Sequence, residues 1–184
     1  MDSAHGLGAD NAAPIQDRQS VTPDGERVDP LPEGVILRDA VTHVDERGSV
    51  CEIFDPRWGW HPDPVVFVYT FTIRPGWAKG WGVHREHEDR YFLLSGEMEV
   101  VLYDEREGSS TQGLVAKVVL SEHRRRLMNV PAGVWHADRN LGDKDCVVVN
   151  LPTIVHDHSA PDKHRLPLDS DSIPYEFPPD VKGW

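Results

Sequence analysis

Histidine is the residue type with the most uneven placement in this chain. Ten histidines occur; His84 and His87 stand just before the run RYFLLSG, and His136 follows the turn sequence Pro-Ala-Gly. Histidine exchanges a proton near neutral pH and is also a common metal ligand. These positions therefore predict a site for proton transfer or for metal binding.

The segment around His136 has the most specific pattern. Pro131, Gly133, His136 and Asn140 fit P-x-G-x-x-H-x-x-x-N, the second signature of the cupin barrels. Proline and glycine favour a tight turn between strands. We therefore expect the imidazole of His136 to point into the mouth of a barrel.

The first cupin signature supplies two histidines and an acid for a metal, and it fits less well. Asp89 stands at the acid position, seven residues before Gly96; His84 stands at the second histidine position, and Gly82 replaces the first histidine. A divalent metal needs three or four ligands of matched type. His84, Asp89 and His136 form the candidate metal set, although a metal-free site is the favoured interpretation.

Short β-rich runs must position these residues. From Val35 onward, runs such as VVFVYTFTI, EMEVVLYDE and LVAKVVLSE alternate with turn clusters that contain Gly, Pro, Asn or Asp. In one run Met98, Val100 and Leu102 fall on one face of a strand. About eight strands at regular spacing predict an all-β jelly-roll barrel, the double-stranded β-helix of the cupins.

The two ends of the chain differ from this pattern. Residues 1–30 are small, polar and interrupted by Gly and Pro, so we expect a disordered N-terminal arm. Residues 31–184 are predicted to form one barrel domain. Its tail, from Pro161, is proline-rich and predicted to be extended.

Read in order, the motifs resemble the dTDP-4-dehydrorhamnose 3,5-epimerase family, the sugar-nucleotide branch of the cupins. Asp45-Glu46-Arg47-Gly48 followed by Glu52 is similar to the family's D-x-R-G-x-x-x-E, and Gly82-Val83-His84 to its G-L-H. Residues 104–113 resemble its D-x-R-x-x-S-P-T-x-G turn, and residues 130–136 its I-P-x-G-x-x-H. Residues 161–163 and 169–175 resemble its closing segment.

The resemblance implies an epimerase or isomerase acting on a 4-keto-6-deoxyhexose nucleotide. A base removes a proton next to the carbonyl, and a positive group stabilises the enolate oxygen. His84 would be the base, and Asp169 or Asp171 would orient its ring. Arg90 or Lys79 would lie near the enolate oxygen. The expected substrate contacts are Arg47, Glu52, Lys79, Trp81, His136 and Asn150.

Three departures from the family pattern change this expectation. Trp81 stands where the family has an arginine, and Asp89 or Arg90 where it has a catalytic lysine. The family's acid tyrosine should fall near residues 153–156, which contain none; His156 is the candidate replacement acid. The sequence therefore favours a single epimerisation, a ketoisomerisation or another altered activity.

Composition excludes several other classes. The net charge of −12 argues against general binding to nucleic acids or to anionic membranes. Two cysteines and no recognisable secretory signal indicate a reducing, cytoplasmic environment. The alternatives to an epimerase are a metal-dependent cupin oxygenase or isomerase and a binding-only cupin. The family resemblance also implies a homodimer.

Overall fold

The computed structural model describes residues 15–183, in which strands dominate. Twelve strands occur there, against the roughly eight that the spacing of turn signals predicts. The strands are β1 (Ile36–Asp39), β2 (Thr42–Asp45), β3 (Gly48–Cys51), β4 (Tyr69–Ile73), β5 (Ala78–Val83), β6 (Asp89–Ser95), β7 (Glu97–Asp104), β8 (Val115–Ser121), β9 (Arg126–Val130), β10 (Val134–Asn140), β11 (Cys146–Asn150) and β12 (His164–Arg165). One 3₁₀ helix spans Pro56–Trp58.

Two five-stranded antiparallel sheets form the barrel. One has the order β1-β9-β6-β11-β4 and the other the order β12-β5-β10-β7-β8. The strands β2 and β3 pair only with each other, as a separate hairpin. The predicted all-β jelly-roll architecture is confirmed.

The barrel interior is filled by alternate residues of both sheets. Tyr91 and Leu93 of β6 face inward, together with Met98 and Val100 of β7. Phe92 of β6 faces outward, into a second cluster beneath the segment that precedes β4. Because the first sheet is covered on both faces, polar and apolar residues do not alternate cleanly along β6.

The C-terminal tail covers the outer face of the second sheet. Trp81 and Trp135 pack there against Ile173, Tyr175 and Phe177 of the tail. The tail also adds β12 to the sheet edge, where His164 and Arg165 pair with β5. The predicted extended tail is thus an integral layer of residues 31–183.

The N-terminal unit is described from residue 15. Residues 15–30 contain a turn closed by a Val21–Arg27 bridge, and an Arg18–Asp29 ion pair of 2.7 Å. Residues 1–14 of the predicted disordered arm lie outside the described residues, so their disorder stays a prediction. Among the described residues, no helix is long and apolar enough to cross a bilayer.

Two local features aim side chains into the barrel. Gly133 has φ of 80°, which favours glycine, and its N–H donates to the carbonyl of His84 at 2.7 Å. On β5 an extra residue is inserted, since His136 pairs with Gly82 but Asp138 pairs with Lys79. This bulge places Gly82 and Lys79 on the same inward side.

Candidate active site

Three buried side chains from different strands converge inside one end of the barrel. His84 directly follows β5, Asp89 begins β6, and His136 lies on β10. Nε2 of His84 lies 3.2 Å from Oδ2 of Asp89, and Nε2 of His136 lies 3.6 Å from the same oxygen. We call these three residues the His84 cluster. The structure brings together the three residues that the sequence predicts as the candidate metal set.

The His84 ring is held by the C-terminal tail. Its Nδ1 forms a hydrogen bond with the backbone carbonyl of Asp162. The Asp162 carboxylate accepts hydrogen bonds from the backbone N–H groups of Arg85 and Glu86, at 2.9 and 2.8 Å. A carbonyl can only accept, so Nδ1 carries a proton; in the neutral imidazole the lone pair is then on Nε2, which faces the barrel interior.

Asp89 is the negative centre of the cluster. Its side chain is 2% exposed and accepts hydrogen bonds from Asn150 at 2.6 Å and from Tyr91 at 3.1 Å. Burial raises the pKa of Asp89, but the neighbouring imidazoles of His84 and His87 outweigh burial and hold it well below its ordinary value. Asp89 is therefore an anion that stabilises positive charge on an adjacent imidazole.

His136 is kept neutral by its surroundings. It is 3% exposed, and burial lowers its pKa to about 3 despite the attraction of Asp89. A neutral imidazole offers one N–H and one lone pair. Nε2 of His136 has no hydrogen-bond partner among residues 15–183, so it is available to a ligand.

Asp138 and Lys163 border the cluster, and sequence reasoning missed both. Burial raises the pKa of Asp138 to about 7, and burial lowers the pKa of Lys163. Asp138 could have been predicted from the sequence, because it lies two residues after His136 and therefore on the same face of the strand. Lys163 could not have been predicted, because its position depends on how the tail docks.

Two tyrosine hydroxyls also belong to this region, that of the buried Tyr91 and that of the partly exposed Tyr69. Tyr91 lies two residues after Asp89 on β6, and Tyr69 accepts a hydrogen bond from Asn150 at 2.8 Å. Burial raises the pKa of Tyr69 to about 12 and, with the carboxylates of Asp138 and Asp89, raises that of Tyr91 well above its ordinary value. Both hydroxyls stay protonated near neutral pH, as a proton donor requires.

The cluster also fits a divalent metal. The candidate ligand atoms of His84, Asp89 and His136 all lie within 4.8 Å of one another, and all three residues are buried. The Nε2 atoms of both histidines have no hydrogen-bond partner in the described part of the chain. Two imidazoles and one carboxylate are a ligand set used by zinc and iron. His87 and Asp162 form a second such group with His84.

Arg90, expected at the enolate oxygen, lies on the opposite face of β6 from Asp89. Its guanidinium donates to the backbone carbonyls of Asp63, Pro64, Leu151 and Pro152. Adjacent residues of a strand point to opposite faces, so Asp89 and Arg90 cannot both enter the barrel. Arg90 ties two loops together outside the site, which corrects the role expected for it.

Two other expected catalytic residues are also placed elsewhere. Asp169 is exposed and lines an open groove of about 750 Å³ formed by tail residues, whereas the His84 ring nitrogens face Asp162 and Asp89. His156 is exposed in the loop after β11, with its ring 4.6 Å from that of His158. Neither residue joins the cluster in this structure.

The expected substrate contacts divide into two groups. His136 belongs to the cluster, Asn150 donates a hydrogen bond to Asp89, and Lys79 is the strand partner of Asp138 across the bulge. Trp81 does not line the barrel interior, because it packs outside the second sheet against Tyr175. Arg47 and Glu52 are exposed on or beside the hairpin β2–β3, where Arg47 pairs with Asp45 at 2.5 Å.

Comparison with known proteins identifies relatives of this site and fold. No protein-family model matches the chain. The chain is 34% identical, over 81% of its length and 96% of the relative's, to a probable low-salt glycan biosynthesis epimerase, Agl13, of Haloferax volcanii.

Two crystal structures share the fold. The dTDP sugar isomerase of Desulfovibrio desulfuricans matches with a TM-score of 0.73 and 28% identity, over 79% of this chain and 91% of that one. ChmJ, a 3′-monoepimerase of Streptomyces bikiniensis in complex with dTDP-quinovose, matches with a TM-score of 0.71 and 25% identity, over 84% and 81% of the two chains. The barrel and these relatives together show that the chain is an epimerase that belongs to the dTDP-4-dehydrorhamnose 3,5-epimerase-like family of sugar-nucleotide cupins.

Proposed function

We propose that the chain epimerises a dTDP-linked 4-keto-6-deoxy sugar at one carbon next to the carbonyl, with His84 as the base. The observation that carries this proposal is the state of the His84 ring. Nδ1 is committed to the Asp162 carbonyl, and Nε2 has no hydrogen-bond partner within residues 15–183 while lying 3.2 Å from a buried carboxylate. This arrangement suits a general base, because Asp89 stabilises the imidazolium that proton transfer creates.

The chemistry follows from the substrate. The 4-keto group acidifies the hydrogens on both neighbouring carbons. Nε2 of His84 takes one of these protons. The C–H electron pair forms a double bond between that carbon and the carbonyl carbon, and the π pair of the carbonyl moves onto its oxygen, which becomes an enolate oxygen. Returning a proton to the opposite face of that carbon inverts it and restores the ketone.

The substrate class is supported by the relatives rather than by a shaped pocket. One matched structure is a dTDP sugar isomerase, and another holds dTDP-quinovose. His84, Asp89 and His136 are each less than 10% exposed, so they offer little surface to a sugar in this structure. Residues 153–156 contain no tyrosine, which supports inversion at a single carbon.

A metal-dependent reaction is the second candidate, because the same three side chains fit a divalent ion. A bound metal would polarise a substrate carbonyl or activate water or oxygen. It would also occupy Nε2 of His84 and leave that residue unable to accept a proton. The two functions are therefore mutually exclusive uses of one atom.

Deuterium exchange distinguishes the candidates. The purified protein is incubated with dTDP-4-keto-6-deoxyglucose in heavy water, and label at each ring carbon is followed by NMR. We expect exchange at one carbon, lost in His84→Gln and retained in the exposed control His123→Gln. Absence of exchange in the wild-type protein would exclude this substrate.

Metal analysis of the same preparations completes the comparison. We expect the active protein to contain less than one-tenth equivalent of zinc, iron, manganese or nickel, and a chelator to leave its activity unchanged. Stoichiometric metal that disappears in His136→Gln would favour the second candidate.

The family resemblance also supports a homodimer. The hairpin β2–β3 exposes Val44 and Val50, which are 77% and 67% accessible. Burying exposed apolar residues of this kind against a second copy is favourable. Light scattering should give twice the mass of one chain, and a monomer would exclude this part of the proposal.

A further inference from the structure

Lys163 is a largely buried lysine whose position is set by backbone contacts on both sides. Asp162, which precedes it, holds the N–H groups of Arg85 and Glu86, and β12, which follows it, pairs with β5. The partners of both contacts, residues 85–86 and β5, lie on either side of His84 in the chain. The backbone of Lys163 is therefore fixed relative to the base.

The Lys163 side chain occupies space left by a missing side chain. A methyl group on Gly82 would come within 2.8 Å of Cε and 3.3 Å of Nζ of Lys163, and within 3.6 Å of Nε2 of His136. Gly82 does not have a positive φ, so backbone conformation does not require glycine there. The absence of a Cβ instead lets the ammonium lie beside His136 inside the barrel.

The ammonium lies between negative groups without pairing closely with either. Asp89 and Asp138 attract it electrostatically, and these attractions oppose the effect of burial on its charge. Within residues 15–183, however, no carboxylate lies within 4.0 Å of it. Its three N–H donors are thus not committed to an ion pair.

The reaction needs a cation at this place. Of the two expected candidates, Arg90 lies outside the barrel. Lys79 lies on the inward side but is more exposed than Lys163, and its ammonium lies 5.7 Å from the centre of the Phe71 ring. Building on the proposed function, we infer that Lys163 is a catalytic residue that donates a hydrogen bond to the enolate oxygen formed when His84 removes the proton.

The test uses Lys163→Met, which keeps the length of the side chain and removes its charge. The matched control is Lys144→Met, because Lys144 is an exposed lysine that pairs with Glu122 and not with a residue of the His84 cluster. The rate of deuterium exchange into dTDP-4-keto-6-deoxyglucose is measured at saturation, and affinity for dTDP by calorimetry. Melting temperature confirms that each variant is folded.

We expect kcat for exchange to fall about 100-fold in Lys163→Met, as for loss of one oxyanion donor. KM and the Kd for dTDP should stay within threefold, and Lys144→Met should match the wild type. A rate within threefold of wild type in Lys163→Met overturns the role of Lys163 and leaves the proposed function intact. An equal loss of dTDP affinity also overturns it, since the residue would then be a binding residue.

A second variant keeps the test independent of the lysine itself. Gly82→Ala places a Cβ against Lys163 and should lower kcat about tenfold by displacing the ammonium. Combined with Lys163→Met it should cause no further loss, because both changes remove one interaction. Additive losses would contradict the inference. Absence of exchange in the wild type would overturn the proposed function and the inference with it.

Discussion

Nδ1 of His84 is bonded to the backbone carbonyl of Asp162, a residue 78 positions further along the chain. A backbone acceptor cannot change its protonation state, so the His84 tautomer does not depend on the titration of a neighbouring acid. The family resemblance assigns the orienting role to an aspartate side chain. In this chain, a main-chain group of the tail orients the ring, and Asp89 supplies the negative charge on its other side.

Replacing Asp89 by asparagine should remove that negative charge while keeping the size of the side chain. We expect the exchange rate to fall by about 10²–10⁴, because the imidazolium of His84 loses its stabilising partner. Steady-state exchange in heavy water measures the loss, with the exposed Asp143→Asn as control. A rate within threefold of wild type would show that the base works without this anion.

Tyr91→Phe should separate proton removal from proton return. The raised pKa of Tyr91 keeps its hydroxyl protonated, and this hydroxyl lies 3.1 Å from Asp89. If it supplies the returned proton, the ratio of epimer formed to deuterium exchanged should fall about tenfold or more. Tyr103→Phe, beneath the tail on the outer face, is the control. An unchanged ratio would assign the donor elsewhere.

Arg90→Met tests whether this arginine is structural. Losing its hydrogen bonds leaves the buried carbonyls of Leu151 and Pro152 unsatisfied, so the free energy of unfolding should fall by about 3–5 kcal/mol. Exchange per folded molecule should remain within threefold, because the guanidinium lies outside the barrel. Urea unfolding and exchange assays measure the two effects. Arg57→Met is the exposed control, and a selective loss of kcat in Arg90→Met would return Arg90 to the reaction.

The lowered pKa of Asp104 leads us to expect a loss of folding stability in acid. Burial raises its pKa, but hydrogen bonds from Arg106, Thr111 and Ser109 outweigh burial and hold it below its ordinary value. A lowered carboxylate pKa gives stability that is present above the unfolded-state pKa, near 4, and is lost as the pH falls through the folded-state value.

Asp104→Asn should therefore cost about 2–3 kcal/mol in the free energy of unfolding at pH 7. The difference from wild type should shrink steadily below about pH 4, where Asp104 takes up a proton in the unfolded chain but not yet in the folded protein. Urea titrations at pH 7, 5 and 3 measure it. A difference that is constant over this range would mean that the charge of Asp104 contributes nothing.

Local patterns allowed much of this structure to be predicted from the sequence. The Pro131–Gly133 turn and the inward position of His136 depend on neighbouring residues only, and both were predictable. Which residues of β6 face the barrel interior was not predictable, because residues 89–93 are all buried and both faces of the strand are covered. Arg90 was therefore placed in the site and Tyr91 was missed.

The remaining errors concern contacts between distant segments. The bulge that turns Lys79 and Gly82 to one side arises from pairing between β5 and β10, which no single strand specifies. Trp81 is adjacent to Gly82 but faces the tail, and its outward orientation could not be recognised without knowing that the tail docks there. Lys163 depends on the same docking, so sequence reasoning could not place it.

The tail contacts have a consequence for when the protein becomes active. Every pair of the barrel strands β1 to β11 can form before residue 162 leaves the ribosome, yet His84 then lacks its orienting carbonyl and Gly82 its lysine. Docking of residues 161–177 would thus complete both the orientation of His84 and the placement of Lys163.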